Sequence, residues 1–215
     1  MGSEGPDLAA MRQAYRSAGL REEDLAPGWT AQFARWLAEA IAAQLPEPNA
    51  MVLATAATDG RPSARTVLLK GYDEAGLVFY TNYDSRKGRE LTANPRASAV
   101  FPWIALSRQV VLTGDVVQVS REQSAAYFHS RPRGSQLGAS ASPQSQVIGD
   151  RRDLDLAWER AEAAYPDEIP LPERWGGFRL TPDAVEFWQG QTDRLHDRLR
   201  YRRTDAGWIV ERLAP

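Results

Sequence analysis

Between Ala50 and Asn82 the chain reads as three short apolar runs, MVLATAA, ARTVLLKGY and LVFYTN, cut by the turns TDGRPS and DEAG. Runs of this length, bounded by Gly, Pro and Asp, are strands, and connections this short join only antiparallel neighbours. The spacing therefore predicts a meander of three strands. The same grammar returns in ASAVFPW and in SRQVVLTGDVVQVS, the latter long enough to bend at Gly114. It returns again in GGFRLTP, in AVEFWQG and in the hairpin RLRYRR–TDAG–WIVERL. Roughly seven or eight strands with such connections predict a mainly β, α+β chain: an antiparallel barrel or sandwich flanked by helices. Strands alternating with long helices are absent, as are GxGxxG, Walker A and nucleophile-elbow motifs, which removes the Rossmann, NTPase and simplest hydrolase readings.

Helices fill the gaps. An amphipathic segment spans Asp7 to Tyr15. A helix with Thr30 as N-cap follows, its stripe Phe33, Trp36, Leu37 and Ile41, and it stops at Pro46-Glu47-Pro48. SRKGRELTANP (85–95) predicts a short helix capped by Asp84 or Ser85; Ser120 caps another, which Pro132 ends at Arg131. Residues 134–149, GSQLGASASPQSQVIG, are small and turn-prone and read as a loop before a helix over Arg151 to Ala164. The expected organisation is one domain, with residues 1–48 a helical segment and lid on a barrel of residues 49–215.

Charge narrows the function. With 26 basic against 28 acidic residues, no global field points to nucleic acid or an anionic membrane. No apolar run approaches the ~20 residues of a membrane helix. Zero Cys excludes disulfides, thiolate catalysis and Cys-ligated metals and fits a reducing cytoplasm; two histidines, His129 and His196, are too few for a His-based metal site.

Against that neutral background four basic clusters stand out. Arg65 to Lys70 puts charges at both ends of an apolar strand, which equally marks where a strand meets water. Ser85-Arg86-Lys87-Gly88 sits at a helix N-terminus, where cations make better sense with an anion bound, though a solvated turn is as good a reading. Tyr127, Arg131 and Ser135 gather a phenol, a guanidinium and a hydroxyl that suit a phosphate monoester; the plain alternative is an Arg complementing a helix C-terminus. In WQGQTDRLHDRLRYRR, Arg198, Arg200 and Arg202 alternate with Leu199 and Tyr201 as in a half-exposed strand. Arg194, His196 and Arg198 share a parity and point one way if the chain there is extended. Several anion sites without catalytic Cys, metal cluster or paired carboxylates imply a bound organic cofactor.

Taken together these stretches resemble the pyridoxamine/pyridoxine 5′-phosphate oxidase family along nearly the whole chain. The resemblance rests on RTVLLKGYDEAGLVFYTNYDSRKGREL, FPWIALSRQVVLTG, YFHSRPRGSQLG, WGGFRL and EFWQGQTDRLHDR. It implies an FMN-binding split β-barrel, Greek-key-like and flanked by helices, and a homodimer with FMN at the subunit interface. It implies that Arg65, Thr66, Val67, Leu68, Lys70, Tyr80, Thr81, Arg86, Lys87, Gln109, Gln144, Ser145, Trp188 and Arg198 contact FMN, some from the partner subunit. Lys70, Tyr127, Arg131 and Ser135 would grip the substrate phosphate, Arg194 and His196 would be the catalytic pair over the pyridine ring, and Arg12 and Tyr15 a lid contact. The reaction implied is oxidation of pyridoxamine or pyridoxine 5′-phosphate to pyridoxal 5′-phosphate with O2 as acceptor. Two other readings keep the fold: an FMN oxidase of a phenazine-type precursor, and a flavin- or haem-binding protein without turnover. The sequence departs from its relatives at Ser140, where they often carry Trp, and in the variable linker Gln191-Thr192-Asp193.

Overall fold

The computed structural model describes residues 7–11, 15 and 19–215. In chain order these form α1 (Trp29–Ala42), β1 (Ala50–Ala56), β2 (Pro62–Leu68), β3 (Gly71–Asp73) and β4 (Gly76–Asn82). Then come α2 (Arg86–Ala93), β5 (Arg96–Trp103), β6 (Arg108–Gln118), α3 (Arg121–Ser130), α4 (Arg133–Ala141) and α5 (Arg151–Ala164). The chain ends in β7 (Trp175–Gln189), β8 (Asp197–Thr204) and β9 (Gly207–Arg212).

All the ladders are antiparallel, and nine strands share one sheet in the order β2-β1-β5-β6-β7-β4-β3, with β8 and β9 branching from β7. ARTVLLKGY, expected as one strand, breaks at Leu69 and Lys70 into β2 and β3. That break shapes the sheet, because β2 and β3 lie at opposite ends of the strand order yet are two residues apart in sequence. The sheet must curl until its ends meet. The Lys70 N–H then donates to the Val78 carbonyl across the junction at 2.9 Å, and the Leu69 N–H to Asn49 at 2.9 Å. Among the described residues no ladder joins β2 to β4, so the expected three-strand meander is broken, and the sheet closes as the split barrel that the resemblance implies.

GGFRLTP and AVEFWQG, expected as two strands, form the single strand β7. Its first half pairs β4 and its second half β8, while β6 runs along its other edge. The register slips between Thr113 and Gly114, leaving Asp183 as the extra residue of a bulge. Gly114 is needed there, since a Cβ would lie 2.0 Å from the Thr181 carbonyl oxygen. Pro182, which has no N–H to give, is tolerated at the same irregularity.

Helix α1 packs on the barrel with Phe33 and Trp36 buried, their rings 4.9 Å from Phe101 and 5.2 Å from Phe187. Its cap is Gly28 and not Thr30. Ile41 is 57% exposed; Ala40, seven positions after Phe33, holds the buried stripe instead. Only Leu8–Ala10 of the expected N-terminal helix is helical among the described residues, as one 3-10 turn. The expected loop 134–149 begins as α4, a helix made by its neighbours. Gly134 and Gly138 lie against Trp158 of α5, 3.6 Å from where a Cβ would stand, and Leu137 is buried with Phe128 and Trp175.

A buried carboxylate ties α2 to the β1–β2 hairpin. Glu90 accepts from Thr55 and Ser63 at 2.5 Å each and from Arg86 at 2.9 Å, with Arg65 at 3.5 Å. Burial pushes its carboxyl up, but the Ser63, Thr55 and Arg86 hydrogen bonds outweigh that and bring it to about 2. Such a group stabilises the fold above its unfolded pKa, and that contribution disappears as pH falls towards 2. We expect Glu90→Gln to lower the urea midpoint at pH 7 by a clear margin, since breaking a buried pair costs ~3–5 kcal/mol. The gap from wild type should shrink between pH 4.5 and 2; a gap independent of pH would mean that Glu90 acts by shape alone.

Candidate functional site

A cleft of ≈ 710 Å³ opens beside the split in the barrel. Thr66, Val67, Leu68 and Lys70 line it from β2 and the break that follows, and Tyr80, Thr81 and Lys87 from β4 and α2. The far wall comes from Tyr127 and Arg131 at the end of α3, Ser135 in α4 and Gln144 beyond it. All four residues expected to grip a substrate phosphate, Lys70, Tyr127, Arg131 and Ser135, therefore face one space. Ser135 reaches it from the first turn of α4, within the segment expected to be loop.

Two cations in this cleft are desolvated without a carboxylate, Lys87 as a buried side chain and the half-buried Arg131 at one nitrogen. Lys87 Nζ reaches Thr81 Oγ1 at 3.0 Å, Gln144 Oε1 at 3.3 Å and Ser85 Oγ at 3.5 Å, all neutral. Burial first, and then the nearby Arg65 charge, bring its pKa down to about 8. Arg131 Nη1 is buried with no hydrogen-bond partner, and burial lowers the guanidinium pKa. Desolvated positive charge of this kind is costly until an anion arrives. Arg65 and Arg86 differ, because Glu90 already holds both. Ser85 caps α2 by accepting from the Gly88 N–H at 3.2 Å, as the sequence suggested.

A second group lies at the other end of β7. Gln109, Trp188 and Arg198 stand side by side across β6, β7 and β8 in ladder register. The His196 and Trp188 rings are 4.7 Å apart, and Tyr15 meets them edge-on at 5.6 and 5.8 Å respectively. Arg198 is held by Glu186 through Nε (2.7 Å) and Nη2 (3.1 Å). Arg200 and Arg202, expected to be a solvated strand face, share Glu211 at 2.6 and 2.7 Å. Leu199 and Tyr201 are buried behind them, as the alternation required.

The shared parity of Arg194, His196 and Arg198 does not survive, because the chain there is not extended. Asp193 and Arg194 have φ of 55° and 62°, the left-handed region, so Arg194 leaves the row and its side chain is exposed. Asp197, which no sequence motif marks, fixes this turn: it accepts from Gln191 Nε2 at 2.9 Å, the Leu20 N–H at 3.0 Å and Arg212 at 2.7 Å. Burial raises its carboxyl, but these three partners hold it below the usual carboxylate range. The Gln191 N–H donates to His196 Nδ1 at 3.0 Å, so a neutral ring carries its proton on Nε2. Ser145, beside Gln144, also adopts a left-handed φ of 69°. Arg12 lies outside the described residues.

Comparison with known proteins agrees with this geometry. The family profile described as pyridoxamine 5′-phosphate oxidase matches residues 37–165, and that of the pyridoxine 5′-phosphate oxidase C-terminal dimerisation region matches 175–215. The pyridoxine/pyridoxamine 5′-phosphate oxidase of Salinispora arenicola is 61% identical over 96% of both chains. That of Synechocystis is 54% identical over 99% of this chain and 100% of its own. Among solved structures, PhzG from Burkholderia lata in complex with tetrahydrophenazine-1-carboxylic acid superposes with a TM-score of 0.85 at 36% identity, covering 90% of this chain and 95% of that one. A pyridoxamine 5′-phosphate oxidase-related, FMN-binding protein from Nostoc punctiforme shares the fold, with a TM-score of 0.72 at 23% identity over 89% and 99% of the two chains. The chain belongs to the pyridoxamine/pyridoxine 5′-phosphate oxidase family.

Proposed function

We propose that this chain is an FMN-dependent oxidase converting pyridoxamine or pyridoxine 5′-phosphate to pyridoxal 5′-phosphate, with O2 reduced to hydrogen peroxide. The observation that carries the reading is a pair of desolvated cations, Lys87 and Arg131, facing one cleft with no carboxylate to neutralise them. Two such charges suit two phosphates, one on the cofactor and one on the substrate.

The residues present fit FMN. Lys87, with Thr81 and the Gln144-Ser145 turn, would hold the flavin phosphate, and the exposed Arg86 guanidinium is within reach of the same region. Arg65 supplies charge from behind, and Thr66, Val67 and Leu68 a strand edge. When bound, FMN supplies the two-electron acceptor and the route to O2. Arg131, Lys70, Tyr127 and Ser135 anchor the substrate phosphate and so fix the pyridine ring in one orientation, which removes much of the entropic part of the barrier. His196 Nε2 is the ring atom free to exchange a proton with the C4′ substituent, and the exposed Arg194 guanidinium can lie over the ring.

The remaining contacts point to a second copy of the chain. Trp175, on the cleft wall, and Trp188, beside His196, are opposite ends of one strand, ~40 Å apart along a straight strand at ~3.3 Å per residue. One mononucleotide does not reach from one to the other. We place Gln109, Trp188, Arg198, Arg194 and His196 at the partner's cleft, in a homodimer with FMN at the interface. A match of residues 175–215 to a dimerisation region supports this. Residues 1–48, with Arg12 and Tyr15, would close over the substrate as a lid on the 49–215 barrel. Among the described residues no helix is long and apolar enough to cross a membrane. With no Cys to oxidise, the chain suits the cytoplasm. The phenazine reading has the structural likeness to PhzG, and a carboxylate on such a ligand would pair with one cation. What favours a phosphate is that Lys70, Tyr127, Arg131 and Ser135 together offer more donors than one carboxylate needs.

The deciding experiment is to purify the protein, look for flavin absorbance, add either B6 phosphate and follow peroxide and pyridoxal phosphate. Turnover of a phosphorylated pyridine is expected; bound flavin with no turnover on either substrate sinks the oxidase. Arg194→Ala should depress turnover far more than flavin retention, and Lys87→Ala should loosen flavin first; equal flavin loss in both would refute the division of roles. Because Lys87 titrates near 8 in the free protein and a phosphate restores its charge, FMN binding takes up a proton above that pH. Titrations from pH 7 to 10 should show FMN affinity falling by up to ~tenfold per unit above 8. Riboflavin, lacking the phosphate, should bind equally throughout.

A further inference from the structure

Arg131 poses a physical problem that the family resemblance does not address. A guanidinium with a buried, unpartnered nitrogen needs something to hold it, yet a carboxylate would neutralise the charge and occupy the donors a phosphate requires. Its backbone is fixed well enough: the Arg131 N–H reaches the Phe128 carbonyl at 3.2 Å, and Gln136 Nε2 donates to the Arg131 carbonyl at 2.8 Å. The side chain has no ion pair among the described residues. Its Cζ lies instead over the Trp175 ring at 4.9 Å and over Phe128 at 5.9 Å.

We propose that Trp175 is a positioning residue for phosphate recognition, holding Arg131 by its aromatic face so that the guanidinium stays ordered, fully charged and unspent. A ring face attracts the cation without accepting any of its five N–H donors. The face is itself held. The Trp175 carbonyl accepts from Arg121 Nη1 at 2.8 Å, and its N–H donates to the Pro172 carbonyl at 3.1 Å. The indole also lies parallel to Tyr80, with centroids 5.5 Å apart and planes 9° apart. In and beside the cleft the chain thus uses two devices: Glu90 ties Arg65 and Arg86 down by charge, and Trp175 steadies Arg131 without discharging it.

The inference rests on the reading that Arg131 grips the substrate phosphate, and the experiment separates the two. Trp175→Phe keeps a smaller aromatic face and Trp175→Leu removes it. On flavin-loaded protein we expect the Leu variant to raise KM for pyridoxine 5′-phosphate roughly tenfold, equivalent to ~1.4 kcal/mol, with kcat within about twofold. The Phe variant should lie between Leu and wild type, and kcat/KM for unphosphorylated pyridoxine should not move in either. Equal losses on both substrates, or a Phe variant no better than Leu, would make Trp175 a core filler and overturn the proposal. Binding of pyridoxal 5′-phosphate against pyridoxal repeats the comparison without turnover. A wild type that binds the phosphorylated ligand tightly but does not oxidise the substrate ends the oxidase reading and leaves this one standing. Should the Leu variant fail to fold, the Phe variant decides alone: a KM rise of about threefold confined to the phosphorylated substrate supports the role, and an unchanged KM removes it.

Discussion

Two residues, Leu69 and Lys70, impose the constraint on which the rest of this structure depends. They join strands that stand at opposite ends of a long ladder order, so the sheet has no flat solution. Curling brings the β2 edge towards β4 without a ladder between them, and the opening left at that split becomes the cleft. Lys70 is part of the closure through its backbone and of the cleft through its side chain. Fold and site are therefore one event in this chain: the kink that closes the barrel also aims the residues that line it.

Electrostatics inside the cleft follow a division of labour. Lys70, Lys87 and Arg131 line the cleft, Arg65 and Arg86 stand beside it on β2 and α2, and burying such charge unpaired is costly. Glu90 takes Arg65 and Arg86, with two hydroxyls completing its shell. Of the others, Lys70 is exposed, while Lys87 sits among neutral oxygens and Arg131 against aromatic faces. The site thereby keeps positive charge open to an anion while most of its surrounding charge is already paired.

Much of this was legible in the sequence where local rules suffice. Ser85 and Ser120 cap their helices because a hydroxyl beside free N–H groups needs nothing distant. Gly114 bends β6, and Leu199 and Tyr201 alternate inward with period two. The failures occur where tertiary contact overrules local preference. GSQLGASA has poor helical propensity, yet its glycines let Trp158 approach closely enough to make α4. The parity of Arg194 with His196 assumed an extended chain, and two consecutive left-handed residues, braced by Asp197, undo it. Glu90 goes unremarked in the sequence: only its four-residue spacing from Arg86 is local, and its ties to Thr55 and Ser63 depend on the hairpin it packs against. The cluster Lys70, Tyr127, Arg131 and Ser135 could be named from family likeness; only the folded chain shows that the four share one space.

The fifteen-residue strand β7 carries a last consequence. One end of it helps wall the cleft and the other carries Trp188 beside His196. In a two-fold assembly the strand is a ruler whose residue count sets how far a subunit reaches towards its neighbour's chemistry. A single insertion in β7 beyond the bulge would turn Trp188 to the opposite face, and a pair would restore the face but miss the distance. Selection on catalysis would therefore be felt as selection on length, at residues that touch no ligand.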